Sequence, residues 1–343
     1  MSGQPPPIFL SRAGSGRRGC LSARLRPVGG NRRRRGLVIA LGLPLAAVFV
    51  PAALTHPGAL LGAVPALLWM RYAENKDSGR PEPPGALRRM ALAGALAVVP
   101  VAIVEVIVTQ VYPSETTVAG AFFSGFLVAG LVEESAKAVC LRLVVWRRPE
   151  FDERLDAMVY AAWAGLGFAL VENVGYLTAA SQDQYAGMFV MRALVSVPLH
   201  ASAAAITGYF AARRRFDGLG PGIPGGLALA VLLHGTFDFC AFRAGALGQS
   251  GSGAAGLFAL AAIAVAVAGM VAVRRLARAA LAGDDADPRL EARAASGGPL
   301  HLAGLPAAPP GWPEPAGPAG PPGPPGGWPP PASPPSGRPP GGR

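Results

Sequence analysis

Long apolar segments, separated by short basic or polar loops, occupy the chain between residues 37 and 273. A helix needs about 20 mostly apolar residues to cross a bilayer, and most of these segments approach that length. The pattern predicts an all-α fold, a polytopic transmembrane helix bundle of about eight spans. The predicted spans are 37–54, 57–71, 90–112, 118–146, 155–180, 188–212, 225–245 and 253–273.

The charges of the loops give an independent test of this number of spans. Cytosolic loops carry an excess of lysine and arginine. With eight spans, basic runs such as Arg147-Arg148 and Arg213 to Arg215 fall on the same side as the N-terminal arginines. The loops on the opposite side hold Glu115 and Asp183 but no basic residue. Seven spans would break this alternation, so we expect a multi-pass plasma-membrane protein with both termini in the cytosol.

Composition agrees with a membrane location and argues against other classes. Only 15% of the residues are charged, whereas a soluble domain has about 25%. The net charge of +11 does not indicate nucleic-acid binding, because nine arginines lie in residues 1–36 and most other basic clusters flank apolar runs. The three cysteines are far apart and form no CxxC pair, so neither a disulfide framework nor a cysteine metal site is expected.

Both ends of the chain have the composition of disordered segments. Residues 1–36 are rich in glycine, proline and arginine, and we interpret the apolar segment after them as a retained first helix rather than a cleaved signal peptide. Residues 279–343 are predicted to be a disordered Pro/Gly-rich cytosolic tail. Its last 38 residues contain 17 prolines, which are typical of a linker or, alternatively, of a proline-motif ligand.

The fourth predicted span contains three charged residues, Glu133, Glu134 and Lys137. A charge at the centre of a membrane helix costs a few kcal/mol, so we expect each of these charged residues to have a partner or a function. Lys137 follows Glu133 by four residues and Glu134 by three, so it can reach either carboxylate on one helix face. This spacing indicates an ion-paired cluster within the membrane.

The fifth span adds Glu172 and Asn173 at membrane depth, together with Gly165 and Gly167. Glycines permit close approach of a neighbouring helix, and polar side chains can form hydrogen bonds across that contact. We therefore expect close helix packing at these glycines, with Glu172 and Asn173 supplying polar atoms at membrane depth.

The sixth and seventh spans each contain one mid-membrane histidine. The sixth holds Arg192, Pro198 and His200, and the seventh holds His234 followed one turn later by Asp238. A carboxylate in that position can fix the tautomer of the imidazole as an outer-shell partner. Four consecutive spans thus each supply an acid or a histidine.

These residue types suit hydrolysis assisted by a metal ion. His200, His234 and Glu172 would hold one divalent metal, with zinc the expected ion, and Glu133 or Glu134 would be the general base for a bound water. The same buried groups also suit a proton relay in a transporter or structural polar contacts between helices, and these alternatives stay open. The ligands would have to converge from separate spans.

Three further residues lie outside this pattern. Arg192 is expected to neutralise a neighbouring carboxylate, for which Glu105 in the third span is a candidate. Glu105 belongs to no recognisable motif. His56 and His301 are interpreted as incidental residues of a turn and of the tail.

The order of these motifs resembles that of the PrsW family of intramembrane proteases, distant relatives of the CAAX prenyl endopeptidases. The resemblance covers residues 118–245, and each motif stands on its own span. The matching residues are Glu133-Glu134-x-x-Lys137, Phe168-x-x-x-Glu172-Asn173, Arg192 with Pro198-x-His200, and His234-x-x-x-Asp238.

The resemblance implies a protease domain of residues 37–278 that cleaves membrane-anchored proteins, anti-sigma factors being the best-known target type. It implies catalytic roles for Glu133 and Glu134, with His200 and His234 matching the histidines of the family. Lys137, Asn173, Arg192 and Asp238 are expected to support the site. Glu172 stands where the CAAX relatives carry a histidine, which leaves both a metal-bound and a glutamate-type mechanism open. A non-proteolytic scaffold or a proton-coupled transporter remains the alternative function.

Overall fold

The computed structural model describes residues 57–76, 80–111 and 115–296, together with Val50, Leu54 and Thr55. Every regular element in this part of the chain is helical. A 3₁₀ turn, Pro57–Gly62, leads into the first of eight labelled helices. The helices are α1 (Ala63–Lys76), α2 (Pro84–Val111), α3 (Val118–Val144), α4 (Arg154–Ala179), α5 (Gln182–Asp217), α6 (Gly222–Gln249), α7 (Ala254–Asp285) and α8 (Pro288–Ser296).

Helices α2 to α7 are each long and apolar enough to cross a membrane, which confirms six of the predicted spans. The first predicted span, 37–54, lies almost entirely outside the described residues. The second, 57–71, corresponds to the 3₁₀ turn and α1, whose 14 residues are short for a span. The number of eight spans therefore stays a prediction.

The ends of two helices differ from the predicted ones. Helix α5 begins at Gln182 rather than at residue 188, and α7 continues to Asp285 rather than ending at residue 273. Apolar windows mark only the part of a helix that lies in hydrocarbon, whereas the backbone hydrogen bonds of a helix continue through polar residues. The helices therefore extend beyond the apolar segments from which they were predicted.

The prediction of a disordered tail from residue 279 is wrong for residues 279–296, which form the end of α7 and all of α8. Asp284 explains the longer helix, because its buried carboxylate accepts from the backbone N–H groups of Arg154 and Leu155 at 2.8 and 3.0 Å. It also pairs with the Arg154 guanidinium at 3.1 Å. The N-terminal arm and residues 297–343 lie outside the described residues, so their disorder stays a prediction.

Helix α4 is the centre of the bundle. In its most apolar stretch 78% of the residues are buried, compared with 17% in the corresponding stretches of α2 and α7. Small residues bring α2 against it. A Cβ atom at Gly167 would lie 1.9 Å from the Ala91 carbonyl oxygen, and one at Gly94 would lie 1.9 Å from that of Ala164. Gly165 makes a similar approach to His200 on α5. The expected role of Gly165 and Gly167 in close helix packing is confirmed.

Glycines also bring α3 against α6 beside the charged residues. Residues Phe123–Glu133 of α3 are π-helical, so positions five apart share one face. Gly125 and Gly130 are such a pair, and a Cβ atom at either would lie about 3 Å from backbone atoms of Gly235. Gly235 follows His234, so this contact carries His234 towards the end of the π-helical segment.

Glu153, the residue immediately before α4, has a carboxyl group whose negative charge opposes folding. Burial raises the pKa of the Glu153 carboxyl from its ordinary value of 4.5 to about 8, and the nearby Asp156 carboxylate adds to the rise, although Arg80 lies 2.9 Å away. The protonated form is favoured in the folded state. The stability that the protonated Glu153 carboxyl contributes is fully present below pH 4.5. It is lost as the pH rises through about 8, because the buried carboxyl group then ionises.

We therefore expect the melting temperature of the purified protein in detergent to fall as the pH rises between 4.5 and about 8. Glu153→Gln should flatten that slope, because glutamine cannot ionise. Glu74→Gln, on the partly exposed face of α1, is the control and should leave the slope as in wild type. An unchanged slope in Glu153→Gln would show that other groups cause the pH dependence.

Candidate active site

Lys137 on α3 lies at the centre of a buried cluster. Its Nζ atom donates to Glu133 Oε2 at 3.1 Å and to Glu134 Oε1 at 2.7 Å. It also donates to His200 Nδ1 on α5 at 2.8 Å. All four side chains are at most 5% exposed. Buried charges are tolerated when they are paired and hydrogen-bonded, so the ammonium group holds the two carboxylates and one imidazole together.

His200 connects this cluster to α4. Because its Nδ1 atom accepts from Lys137, its Nε2 atom is assigned the proton, and Nε2 lies 2.8 Å from Glu172 Oε2. The same glutamate oxygen accepts from Arg192 Nη2 at 2.7 Å. Arg192 Nε donates to Asn173 Oδ1 at 2.5 Å. Glu172 is therefore held between an imidazole and a guanidinium group.

His234 on α6 also belongs to the cluster. Its Nδ1 atom lies 2.7 Å from Glu134 Oε1, the oxygen that also accepts from Lys137. Its Nε2 atom lies 3.2 Å from Asp238 Oδ2 and 3.9 Å from Glu133 Oε2. The ring of His234 meets that of His200 edge to face, with centroids 4.8 Å apart. The expected contact between Asp238 and His234 is present.

The structure brings the predicted residues of α3, α5 and α6 close together. The ligand atoms of four residues lie within 4.8 Å of one another. These residues are Glu133, Glu134, His200 and His234. Glu172 is not among them, since its carboxylate bonds His200 and Arg192 instead. Glu172 as a direct ligand stays a prediction, and its carboxylate lies where an outer-shell partner of His200 would be.

The predicted partner of Arg192 is also different. Arg192 pairs with Glu172 and Asn173, on the adjacent helix α4, rather than with Glu105 on α2. Within the described part of the chain, Glu105 makes no hydrogen bond or ion pair, although Glu172, Asp238 and Lys137 act on it electrostatically. Spacing along the chain could not show which of the two carboxylates contacts Arg192, because Glu105 and Glu172 both lie on helices other than that of Arg192.

Two features of the site were missed in the sequence. One is the π-helical geometry of Phe123–Glu133 and Arg192–Ser196, since such segments occur often at functional sites but have no reliable sequence signal. The other is Tyr176, whose ring stacks under the Arg192 guanidinium at 4.0 Å. Tyr176 follows Glu172 by four residues, so helical spacing could have placed it beside that carboxylate.

The donor set fits a divalent metal ion on two further grounds. Among the described residues, the ion pairs of the site join four carboxylates, from Glu133, Glu134, Glu172 and Asp238, with two basic side chains, Lys137 and Arg192. With neutral histidines the formal charge is −2, which one divalent cation would balance. In addition, Glu134 Oε2 is buried and makes no hydrogen bond within the described residues. Mixed imidazole and carboxylate donors are those that zinc prefers.

A bundle of spanning helices around buried glutamates, histidines and a lysine has the residues expected of a membrane-embedded hydrolase. The comparison with known families places the chain within that class. Residues 82–272 match the family described as PrsW family intramembrane metalloprotease, and the chain belongs to this family. It is accordingly a multi-pass membrane peptidase of the PrsW type.

Two bacterial relatives agree with this assignment. The chain is similar to the protease PrsW of Clostridioides difficile (strain 630), with 33% identity over 184 residues, 52% of this chain and 77% of the relative. It is similar to the protease PrsW of Bacillus subtilis (strain 168), with 32% identity over 181 residues, 52% of this chain and 79% of the relative. No solved structure matches the chain.

Proposed function

We propose that this chain cleaves membrane-anchored proteins within the plasma membrane, with Glu133 as the general base of a metal-dependent site. The observation that carries the proposal is the convergence of Glu133, Glu134, His200 and His234 from three helices, all buried. Peptide hydrolysis needs a base, an electrophile and a polar pocket in a dry layer. The basic loops support cytosolic termini.

Glu133 is the better candidate for the base of the two paired glutamates. Its Oε2 atom lies 3.1 Å from Lys137 Nζ and within 3.9 Å of both histidines. Glu134 is held more firmly, because its Oε1 atom bonds both Lys137 and His234 at 2.7 Å. In the proposed reaction Glu133 takes a proton from the attacking water and passes it to the amide nitrogen that leaves.

The remaining side chains position the reacting groups. Lys137 keeps Glu133 and Glu134 together, and its positive charge favours negative charge that develops nearby in the transition state. Glu172 and Asp238 each bond one imidazole ring and orient it. A metal ion held by His200, His234 and Glu134 would supply Lewis-acid polarisation of the substrate carbonyl and of the attacking water.

The proposed substrates are proteins anchored by a single membrane span, and regulatory proteins of the anti-sigma-factor type are the first to test. The active residues lie in helices that cross the membrane, so a substrate must present its cleavage site at membrane depth. The same buried groups would also suit a proton path or a scaffold without proteolysis. Cleavage and bound metal are therefore measured separately.

We expect the purified chain to hold about one divalent ion and to cut a tagged single-span reporter in phospholipid vesicles. His200→Ala combined with His234→Ala should lower the bound metal, measured by elemental mass spectrometry, by about 10-fold or more and abolish cleavage. Thr236→Ala is the matched control on α6, because that hydroxyl bonds the Leu232 carbonyl instead. Its metal content and cleavage should equal those of wild type.

The outcomes separate the alternatives. Loss of cleavage with unchanged metal content in the double variant would favour a metal-free peptidase. Persistent cleavage in the folded double variant would contradict the proposed site. A folded wild-type protein that cuts no reporter in a panel of single-span proteins would favour the scaffold or transporter.

A further inference from the structure

Helix α1 and the 3₁₀ turn before it precede the family-matched segment, which begins at residue 82, yet they contact the second layer of the site. The Gly62 carbonyl accepts from Asn173 Nδ2 at 3.3 Å. The indole Nε1 of Trp69 donates to the Ala193 carbonyl at 3.2 Å. The first contact is made to Asn173 and the second to the residue after Arg192, and Asn173 and Arg192 are themselves hydrogen-bonded to each other.

The bond from Trp69 supplies a donor that the backbone of α5 lacks. Arg192–Ser196 is π-helical, and the Val197 N–H bonds the Arg192 carbonyl, five residues back. In the same register the Ala193 carbonyl would pair with residue 198, which is proline and has no N–H. In a membrane an unpaired carbonyl costs free energy, so the indole N–H stabilises this π-helical turn.

The π-helical turn begins at Arg192, whose guanidinium group bonds the Glu172 carboxylate. Arg192 bonds Glu172 and Asn173, and Glu172 bonds His200 Nε2 at 2.8 Å. The orientation of the His200 ring therefore depends on the backbone position of Arg192. Asn173 is fixed in turn, because its Oδ1 accepts from Arg192 and its Nδ2 donates to the Gly62 carbonyl.

We propose that Trp69 is a positioning residue of the peptidase site, acting through the π-helical turn at Arg192 on Glu172 and His200. Helix α1 then helps to position the catalytic residues through its contact with α5. The kinetic consequence rests on the proposed function, whereas the structural consequence does not. The two are therefore tested by different measurements on the full chain.

Trp69→Phe removes the N–H donor and keeps an aromatic ring. Trp163→Phe is the matched control, because the buried indole N–H of Trp163 has no hydrogen-bond partner within the described residues. We expect hydrogen exchange, measured by mass spectrometry on peptides covering residues 188–200, to be about 3- to 10-fold faster in Trp69→Phe than in wild type. Trp163→Phe should leave this peptide unchanged.

Pro198→Ala provides the missing backbone N–H. Hydrogen exchange of the 188–200 peptide in the double variant Trp69→Phe with Pro198→Ala should therefore be close to that of the single variant Pro198→Ala. In the cleavage assay with the tagged single-span reporter, Trp69→Phe should lower kcat by about 3- to 10-fold with KM within about 2-fold. A purely structural role would instead lower the amount of folded protein and leave kcat per folded molecule unchanged.

The two failures are distinguishable. Unchanged exchange in the 188–200 peptide of Trp69→Phe overturns the positioning role, whatever the cleavage assay shows. Faster exchange with kcat equal to that of Trp163→Phe overturns the link to catalysis. Where wild type cuts no reporter, the proposed function fails, and the exchange and its rescue by Pro198→Ala decide the structural role of Trp69.

Discussion

Glu133→Gln is expected to lower kcat for cleavage of a single-span reporter by about 10²- to 10⁴-fold, the usual contribution of a general base. Glutamine has the same shape, and its carbonyl oxygen can still accept from Lys137, which lies 3.1 Å from the carboxylate. It cannot take a proton from water. We therefore expect the variant to fold and to bind substrate while losing the chemical step.

The measurement is a single-turnover rate in vesicles at matched amounts of folded protein. Glu105→Gln is the control, since Glu105 is also a membrane-embedded glutamate but makes no hydrogen bond or ion pair within the described residues. Its rate should stay within about 3-fold of wild type. A rate for Glu133→Gln within about 10-fold of wild type would exclude Glu133 as the base, and Glu134→Gln would then be tested.

The second large effect concerns the packing of α2 against α4. Gly167→Ala places a methyl group 1.9 Å from the Ala91 carbonyl oxygen, which is backbone and cannot rotate away. The two helices would have to separate along their crossing, where Gly94 meets Ala164 in the same manner. We expect a loss of stability of about 1–3 kcal/mol or more, measured by denaturation in detergent.

Gly175→Ala provides the matched control on the same helix. Nothing lies within 4 Å of a Cβ atom at that position, so the added methyl group meets open space. Alanine favours a helix over glycine by about 1 kcal/mol, and this variant should be as stable as wild type or more so. Equal stability of Gly167→Ala and Gly175→Ala would show that α2 can shift on α4 at no cost.

Much of the fold could be predicted because membrane insertion constrains sequence locally. Each spanning helix satisfies its own backbone hydrogen bonds and needs only about 20 apolar residues, so six spans were found correctly. The short second predicted span, the helix ends and residues 279–296 were less predictable. Their helices depend on contacts such as that of Asp284 with α4, which join residues far apart in the chain.

The site residues could be predicted because charge inside a membrane is costly and therefore conspicuous. Lys137 and its two glutamates could even be paired correctly, since positions three and four apart share a helix face. The partners of Glu172 and Arg192 could not, because four helices can rotate and shift against one another without any change in their own periodicity. Close glycine contacts decide those rotations.

The sequence by itself therefore determined a multi-span helical protein with one ordered set of buried acids and histidines on four successive helices. Only the tertiary structure decided that Glu133 and Glu134 lie between His200 and His234, that Glu172 joins His200 to Arg192, and that Trp69 bonds the turn at Arg192. The physical reason is that helix formation and burial are set within one segment. The role of a buried polar group depends on which partners the packing of other segments brings to it.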